Sequence, residues 1–273
     1  MQPTQSSHLR FADTALQAAA GFWFLAALAG QSIFVAYILS FHVRALLLGD
    51  LSGPNKLLPH GYVAGIAIGN LTLALHLCLA ALITASGALQ LIPQVRTRFP
   101  AFHRWNGRIY VLVALIMALT GLGLTLTGRK LAGDVSQHIA INTNAVLIVI
   151  CALMAWRTAV ARNFSAHRRW ALRLFLVVSG VWFFRVGLMF WLALNKAPVG
   201  FDPKSFSGPF LTILAFAQYL LPLAVLEIYL RAESSNSPSG KLATSAALVL
   251  LLLAMSVGIF VATVGIWLPK MHN

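Results

Sequence analysis

The stretch "HLCLAALITASGALQLIPQVRTRFPAFHRWNGRIYVLVAL", His76 to Leu115, decides the fold. It holds no acidic or basic charge from Leu77 to Val95, then four arginines between Arg96 and Arg108, and turns apolar again at Ile109. A helix crossing a hydrocarbon core of roughly 30 Å needs about 20 apolar residues. The stretch therefore reads as one span arriving at a membrane face, a basic turn, and a second span leaving it. Outward from it the pattern repeats, giving seven apolar runs: Gly21 to Phe41, Val63 to Ile92, Ile109 to Thr127, Ile139 to Trp156, Trp170 to Leu194, Phe210 to Leu230 and Leu242 to Leu268.

Composition points the same way. With 59% hydrophobic and 10% charged residues, a water-soluble domain would expose more apolar surface than water tolerates. The expected fold is all-α, a polytopic membrane bundle of seven transmembrane helices in contact with the lipid bilayer. The first run is longer than the core of a cleaved signal and is read as a retained helix. Cys78 and Cys151 have no disulfide or zinc spacing and are read as small buried residues.

A net charge of +14 in a soluble protein would suggest nucleic acid, but here Lys and Arg occupy short loops between spans, so no nucleic-acid partner is expected. Twelve of them fall on the side of the N-terminus and seven on the other, with Arg185 alone inside a span. The excess places the N-terminus in the cytoplasm. The Ser-, Pro- and Gly-bearing stretch Ala232 to Lys241 divides the chain into an N-terminal anchor helix and outer loop (1–58), a five-helix core (59–231) and a linker with a C-terminal anchor helix (232–273).

Two basic segments share a pattern. In "RFPAFHRWNGRIY" (98–110) and "RNFSAHRRWALRLF" (162–175), a His-Arg pair follows five residues after the first Arg. Pro100 suits a first helical position and Ser165 an N-cap, so both segments are expected at helix N-termini. Arg104, Arg108, Arg168 and Arg173 then oppose the positive end of the helix dipole. That cost is offset if an anion sits there, because free N–H groups and guanidinium forks bind phosphate or carboxylate together. A lipid headgroup, a haem propionate, quinol or other redox donor, or a soluble phosphorylated substrate meets this description.

Within the spans, His76 lies on a small-residue strip of the second helix with Gly69, Thr72, Ala80 and Gly87. At a rise of ~1.5 Å per residue it stands about 24 Å from the cytoplasmic boundary, at the level where His138 opens the fourth helix. His103 and His167 share the cytoplasmic level. Haem iron accepts neutral imidazole from two opposite sides, so His76 with His138, and His103 with His167, are candidate axial pairs for two haem b centres at two depths. Arg185, deep in the fifth helix, needs a partner. Asp134 or an anionic cofactor would serve. Glu227 is expected to pair with Arg173 or Arg108.

The quoted stretch, with "FSAHRRWALRLFLVVSGVWFFRVGL" (164–188), resembles the family of predicted bacterial membrane proteins called domain of unknown function 2306. That resemblance implies a bacterial inner membrane but no activity. More weakly, "HRWNGR" and histidines on alternating helices are similar to diheme transmembrane cytochromes b, which pass electrons across membranes. Those proteins ligate haem deeper inside four consecutive helices, whereas His103 and His167 here lie in a first helical turn. The function expected is a membrane redox module moving electrons between a quinol or cytoplasmic reductant and an outer acceptor. Its rivals are a transporter or accessory protein using Arg185, His76 and Glu227 as a polar network, and a metal-dependent enzyme using His42, His60 and His138.

Overall fold

The computed structural model describes residues 3–48, 65–126 and 133–271. His60, the division after residue 58, and the basic residues Lys56, Arg129 and Lys130 lie outside the described residues. Within them the chain is helical, with no named strand: α1 (Pro3–Tyr37), α2 (Arg44–Leu47), α3 (Ala67–Leu91), α4 (Pro93–Arg98), α5 (Pro100–Leu126), α6 (Val135–Val160), α7 (Phe164–Val178), α8 (Gly180–Asn195), α9 (Pro209–Ser234), α10 (Pro238–Ala262) and α11 (Leu268–Met271). A π-helical turn, Ile38–Val43, joins α1 to α2, and another, Thr263–Trp267, joins α10 to α11. Six of these helices are long and apolar enough to cross a membrane, and α7 with α8 makes a seventh, bent span. The protein is a polytopic helical membrane protein.

Local chemistry sets the helix ends. Ile92 is extended before Pro93, which ends α3 because a residue preceding proline avoids helical dihedrals. Pro100 then opens α5, as its missing N–H costs nothing in a first turn. The α6–α7 connection is the tightest. The Asn163 N–H bonds back to the Thr158 carbonyl, Arg162 takes a left-handed φ of 55°, and the Asn163 side chain accepts from the Ala166 N–H at 3.1 Å. Asn163, not Ser165, is therefore the cap of α7, since it stands one residue before the helix while Ser165 is already inside it. Asp134 caps α6 by accepting from the Gln137 N–H at 2.9 Å.

The fifth span is not the straight helix its apolar run predicts. It bends by 54° between α7 and α8, at the pair Ser179-Gly180. Gly/Ser pairs are a recognised cause of kinks, and a kink in lipid requires new partners for the polar groups it disturbs. Here the Val177 carbonyl accepts from Asn144 Nδ2 of α6 at 3.0 Å, and Ser179 Oγ accepts from Gln31 Nε2 of α1 at 3.0 Å. Gly180 leaves room for this: a Cβ there would stand 3.0 Å from Asn144 Nδ2. Asn144→Leu keeps the branched shape but strips the Val177 carbonyl of its side-chain donor. A loss of about 1–3 kcal/mol is expected, read as a lowered unfolding midpoint in detergent.

Helices α3, α5, α6 and α7 pack each on the next, and α7 returns to α3, so the four close a ring with α3 facing α6 and α5 facing α7. Ile83, Val113, Ala114, Ala152, Leu174 and Val177 belong to the core of this ring, with Tyr219 of α9. A second core joins α1, α3, α8 and α10 through Phe34, Tyr37, Ala81, Trp182, Val186 and Trp267. The first and last helices thus run side by side in the same direction. Asp13 pairs with Lys241 at one end, and Phe34 packs on Trp267 at 5.4 Å near the other.

Beyond α8 the chain turns through a small loop organised by Asp202. Its carboxylate accepts from the Lys204 N–H at 2.9 Å and from Ser205 Oγ at 3.0 Å. These bonds, first the one from Lys204, hold its pKa below the usual carboxylate value. A depressed folded pKa means that the ordering is present above the ordinary value of about 3.9 and is lost as pH falls through the depressed one. The protection of the Lys204 and Ser205 amides against exchange, relative to their intrinsic rates at each pH, should fall only on acidification through that point. Asp202→Asn should flatten the dependence.

Candidate functional site

The matched segments occupy matched places. The His103 N–H bonds to the Phe99 carbonyl and the His167 N–H to the Asn163 carbonyl, so each histidine is the fourth residue of its helix. His138 is also fourth in its helix, its N–H on the Asp134 carbonyl. His76 lies farther in, on α3. The four histidines thus stand on the four helices of the ring, His76 and His138 on one diagonal and His103 and His167 on the other. His103 and His167 are within electrostatic reach of each other.

Hydrogen bonds hold two of the four rings in place. His167 Nδ1 lies 3.0 Å from the Ala155 carbonyl, which can only accept, so Nδ1 carries the proton and Nε2 keeps its lone pair in the neutral ring. The tight α6–α7 turn makes that contact by folding the first turn of α7 onto the last turns of α6. His76 Nδ1 lies 3.1 Å from Thr120 Oγ1. That hydroxyl also lies 2.8 Å from the Ile116 carbonyl, and when it donates there it accepts from His76 and leaves Nε2 the free nitrogen. Their partners behave differently. His138 Nε2 and His103 Nδ1 are buried with no hydrogen-bond partner among the described residues. Each diagonal thus combines one anchored ring with one carrying an orphaned nitrogen, a cost that a metal–nitrogen bond or a bound donor would relieve. His103 presents Nδ1 as its buried nitrogen, whereas His138 presents Nε2. One turn below His138, Asn142 Oδ1 accepts from Thr125 Oγ1 at 2.7 Å, tying α6 to the far end of α5.

The basic end is less open than its arginines suggest. Arg168 makes a bidentate pair with Glu233 of α9 at 2.8 and 2.9 Å, and Arg173 meets Glu227 at 2.7 Å. The expected partnership of Glu227 with Arg173 is present, and Arg173 also stacks over Trp170 at 4.8 Å. Arg108 lies over Trp105 at the same distance. Arg104 and Arg108 form no ion pair among the described residues and remain available to an anion beside His103. Glu233 was not visible as a partner in sequence, because the register of α7 against α9 is set by packing and not by spacing.

Arg185 does not meet Asp134, which is spent on the α6 cap. Its Nη1 donates to the Val181 carbonyl at 3.2 Å, and its guanidinium lies 5.3 Å over Phe34 of α1. Among the described residues no three His, Cys, Asp or Glu side chains are grouped to hold a metal ion, and His42 bonds instead toward Tyr37. Cys151 is buried and Cys78 partly so, both without a disulfide.

The sequence profile of a family described as predicted membrane protein, DUF2306, matches residues 73–221, which take in nearly all of the ring, the bent α7–α8 span and the first half of α9. No curated protein and no solved structure matches the chain. Since the match covers more than half of its length, the chain belongs to the DUF2306 family of predicted membrane proteins.

Proposed function

We propose that this protein is a redox module of the bacterial inner membrane, with b-type haem between His76 and His138 and a second haem between His103 and His167. One observation carries the reading: the four histidines occupy the two diagonals of a closed four-helix ring, and each has a ring nitrogen without a hydrogen bond among the described residues. When bound, haem supplies reversible one-electron chemistry at two depths in the bilayer. The protein contributes ligands, orientation and charge. The Ala155 carbonyl and Thr120 hydroxyl aim His167 and His76 and raise their basicity by accepting the Nδ1 proton. Arg104 and Arg108 offer cationic donors at the His103 end, suited to a haem propionate or an anionic donor such as a quinol headgroup in its deprotonated form. By the charge bias the N-terminus and this arginine-rich end face the cytoplasm.

The test is the colour of the purified protein. Full-length chain from haem-replete cells should show a Soret band and sharp α-bands on reduction, with two haems per chain. Colourless protein from such cells would overturn the reading.

One observation favours the transporter alternative. A span broken at mid-length, like α7–α8 at Ser179, lines the substrate site in many transporters. The polar trio of that alternative is dispersed, however. Glu227 pairs with Arg173, His76 bonds Thr120 of α5, and Arg185 lies over Phe34 of α1, so no two of the three share a partner. Haem-free protein whose Ser179→Leu variant loses uptake of a solute in vesicles would select the transporter.

A further inference from the structure

One face of α7, in steps of three and four residues from its cap inward, lines a cleft of about 350 Å³ formed by Asn163, Ser165, Ala166, Arg169, Trp170 and Arg173. Part of its wall is held in place. Arg173 gives Nε and Nη2 to Glu227 of α9 and stands 4.8 Å over the Trp170 ring, so ring and guanidinium are set before any ligand arrives. Arg169 is different: it is exposed and forms no ion pair or hydrogen bond among the described residues. Its neighbour Arg168 is neutralised by Glu233. The cleft therefore carries one uncompensated cation beside a fixed aromatic wall, with the exposed Ser165 one helical turn away.

Position decides what such a cleft meets. Helix α7 opens the fifth span, and the helix ends around it carry the exposed aromatic residues Phe99, Trp105, Trp156 and Phe164. Aromatic rings gather where a bilayer passes from headgroups to hydrocarbon. From Ser165 to Arg173 the cleft follows α7 for about 12 Å, at a rise of ~1.5 Å per residue. The headgroup layer on each side of the hydrocarbon core is only roughly 5–8 Å deep. A molecule filling the cleft thus has a polar end beside Ser165 and Arg169 and an apolar continuation along Trp170. Inorganic phosphate supplies only the first part, whereas a phospholipid supplies both.

We propose that this cleft binds the phosphodiester headgroup of an anionic phospholipid, on the side that the charge bias makes cytoplasmic. The Arg169 fork takes the phosphate oxygens, the Ser165 hydroxyl donates a further hydrogen bond, and the start of an acyl chain lies against the Trp170 ring that Arg173 backs. Basic pockets at the cytoplasmic ends of spans are suited to such headgroups because the leaflet they face is itself anionic. The site uses none of the four ring histidines, so it stands whether or not the chain carries haem.

Full-length protein is reconstituted into phosphatidylcholine vesicles holding a rising fraction of brominated phosphatidylglycerol. Its tryptophan fluorescence is compared with that in vesicles holding brominated phosphatidylcholine at the same fraction, a ratio that cancels any quenching by bound haem. Excess quenching that saturates at a low fraction of the anionic lipid is expected. Trp170→Phe should remove most of the excess, and Arg169→Gln should raise the half-saturating fraction about tenfold, as for loss of one charge-assisted contact. Arg157→Gln removes the same charge from the exposed end of α6, outside the cleft, and should leave the curve where it is. The proposal is overturned if the two lipids quench alike, if the excess survives Trp170→Phe, or if Arg169→Gln behaves as wild type. It is overturned equally if Arg157→Gln shifts the curve as far as Arg169→Gln does, which would mean diffuse surface charge, or if millimolar inorganic phosphate abolishes the excess, which would assign the cleft to a soluble phosphate.

Discussion

On the proposed two-haem reading, His76→Ala is expected to abolish one haem centre and leave the other, halving the Soret absorbance per chain. An axial pair is lost when either imidazole goes, so His138→Ala should give the same spectrum, and the double variant should lose no more than either alone. His103→Ala and His167→Ala should remove the second centre in the same way. Joining one change from each diagonal should leave no haem. This non-additive pattern is the signature of two pairs, and a quartet of independent surface ligands would lose absorbance in four steps. Thr120→Val gives a finer readout. It removes the acceptor that holds His76 Nδ1–H while keeping the shape, so the haem should remain but its potential should shift, because the ligand becomes less basic. An unchanged spectrum in both His76→Ala and His138→Ala would rule out this pair as the ligands.

Gly258→Val is expected to be the most destabilising single substitution in α1 and α10. At this position α10 meets α8 so closely that a Cβ would lie 2.3 Å from the Val186 carbonyl oxygen and 2.8 Å from its Cγ1. The obstacle is backbone, which cannot rotate away, so the helices must separate and lose packing around Val186, Met255 and Trp182. Overpacking of this kind costs roughly 1–3 kcal/mol and more where the neighbour cannot yield. Gly21 offers the control: a Cβ there meets nothing within 4 Å, and alanine should stabilise α1 by up to about 1 kcal/mol through its helix propensity. Opposite shifts of the two unfolding midpoints, measured by fluorescence-detected size exclusion after heating, check both. Equal behaviour would mean that the α8–α10 contact is not tight in the membrane.

The sequence by itself determined the bundle, because the physics that sets it is one-dimensional. A run of about 20 uncharged residues must span the bilayer, as the backbone of a polar loop cannot be solvated there. Pro100 fixed the start of α5 for a similarly local reason, and the shared spacing of the two His-Arg segments was enough to put His103 and His167 in equivalent first turns. The Arg173–Glu227 pair was also legible, since few carboxylates were available at that depth.

What only the tertiary structure decided depends on which faces of neighbouring helices meet. Apolar residues on a transmembrane helix point toward lipid and toward protein alike, so the periodicity that orients a helix in water is largely missing. Nothing local therefore told that α3 faces α6 across a ring, that the Thr120 hydroxyl accepts from His76, or that Gln31 and Asn144 support a bend at Ser179. Arg185 shows the same limit. Its need for a partner followed from the cost of a charge in lipid, but its seat over Phe34 arises because α1 and α8 both pack on α10, and no spacing within one segment encodes that contact.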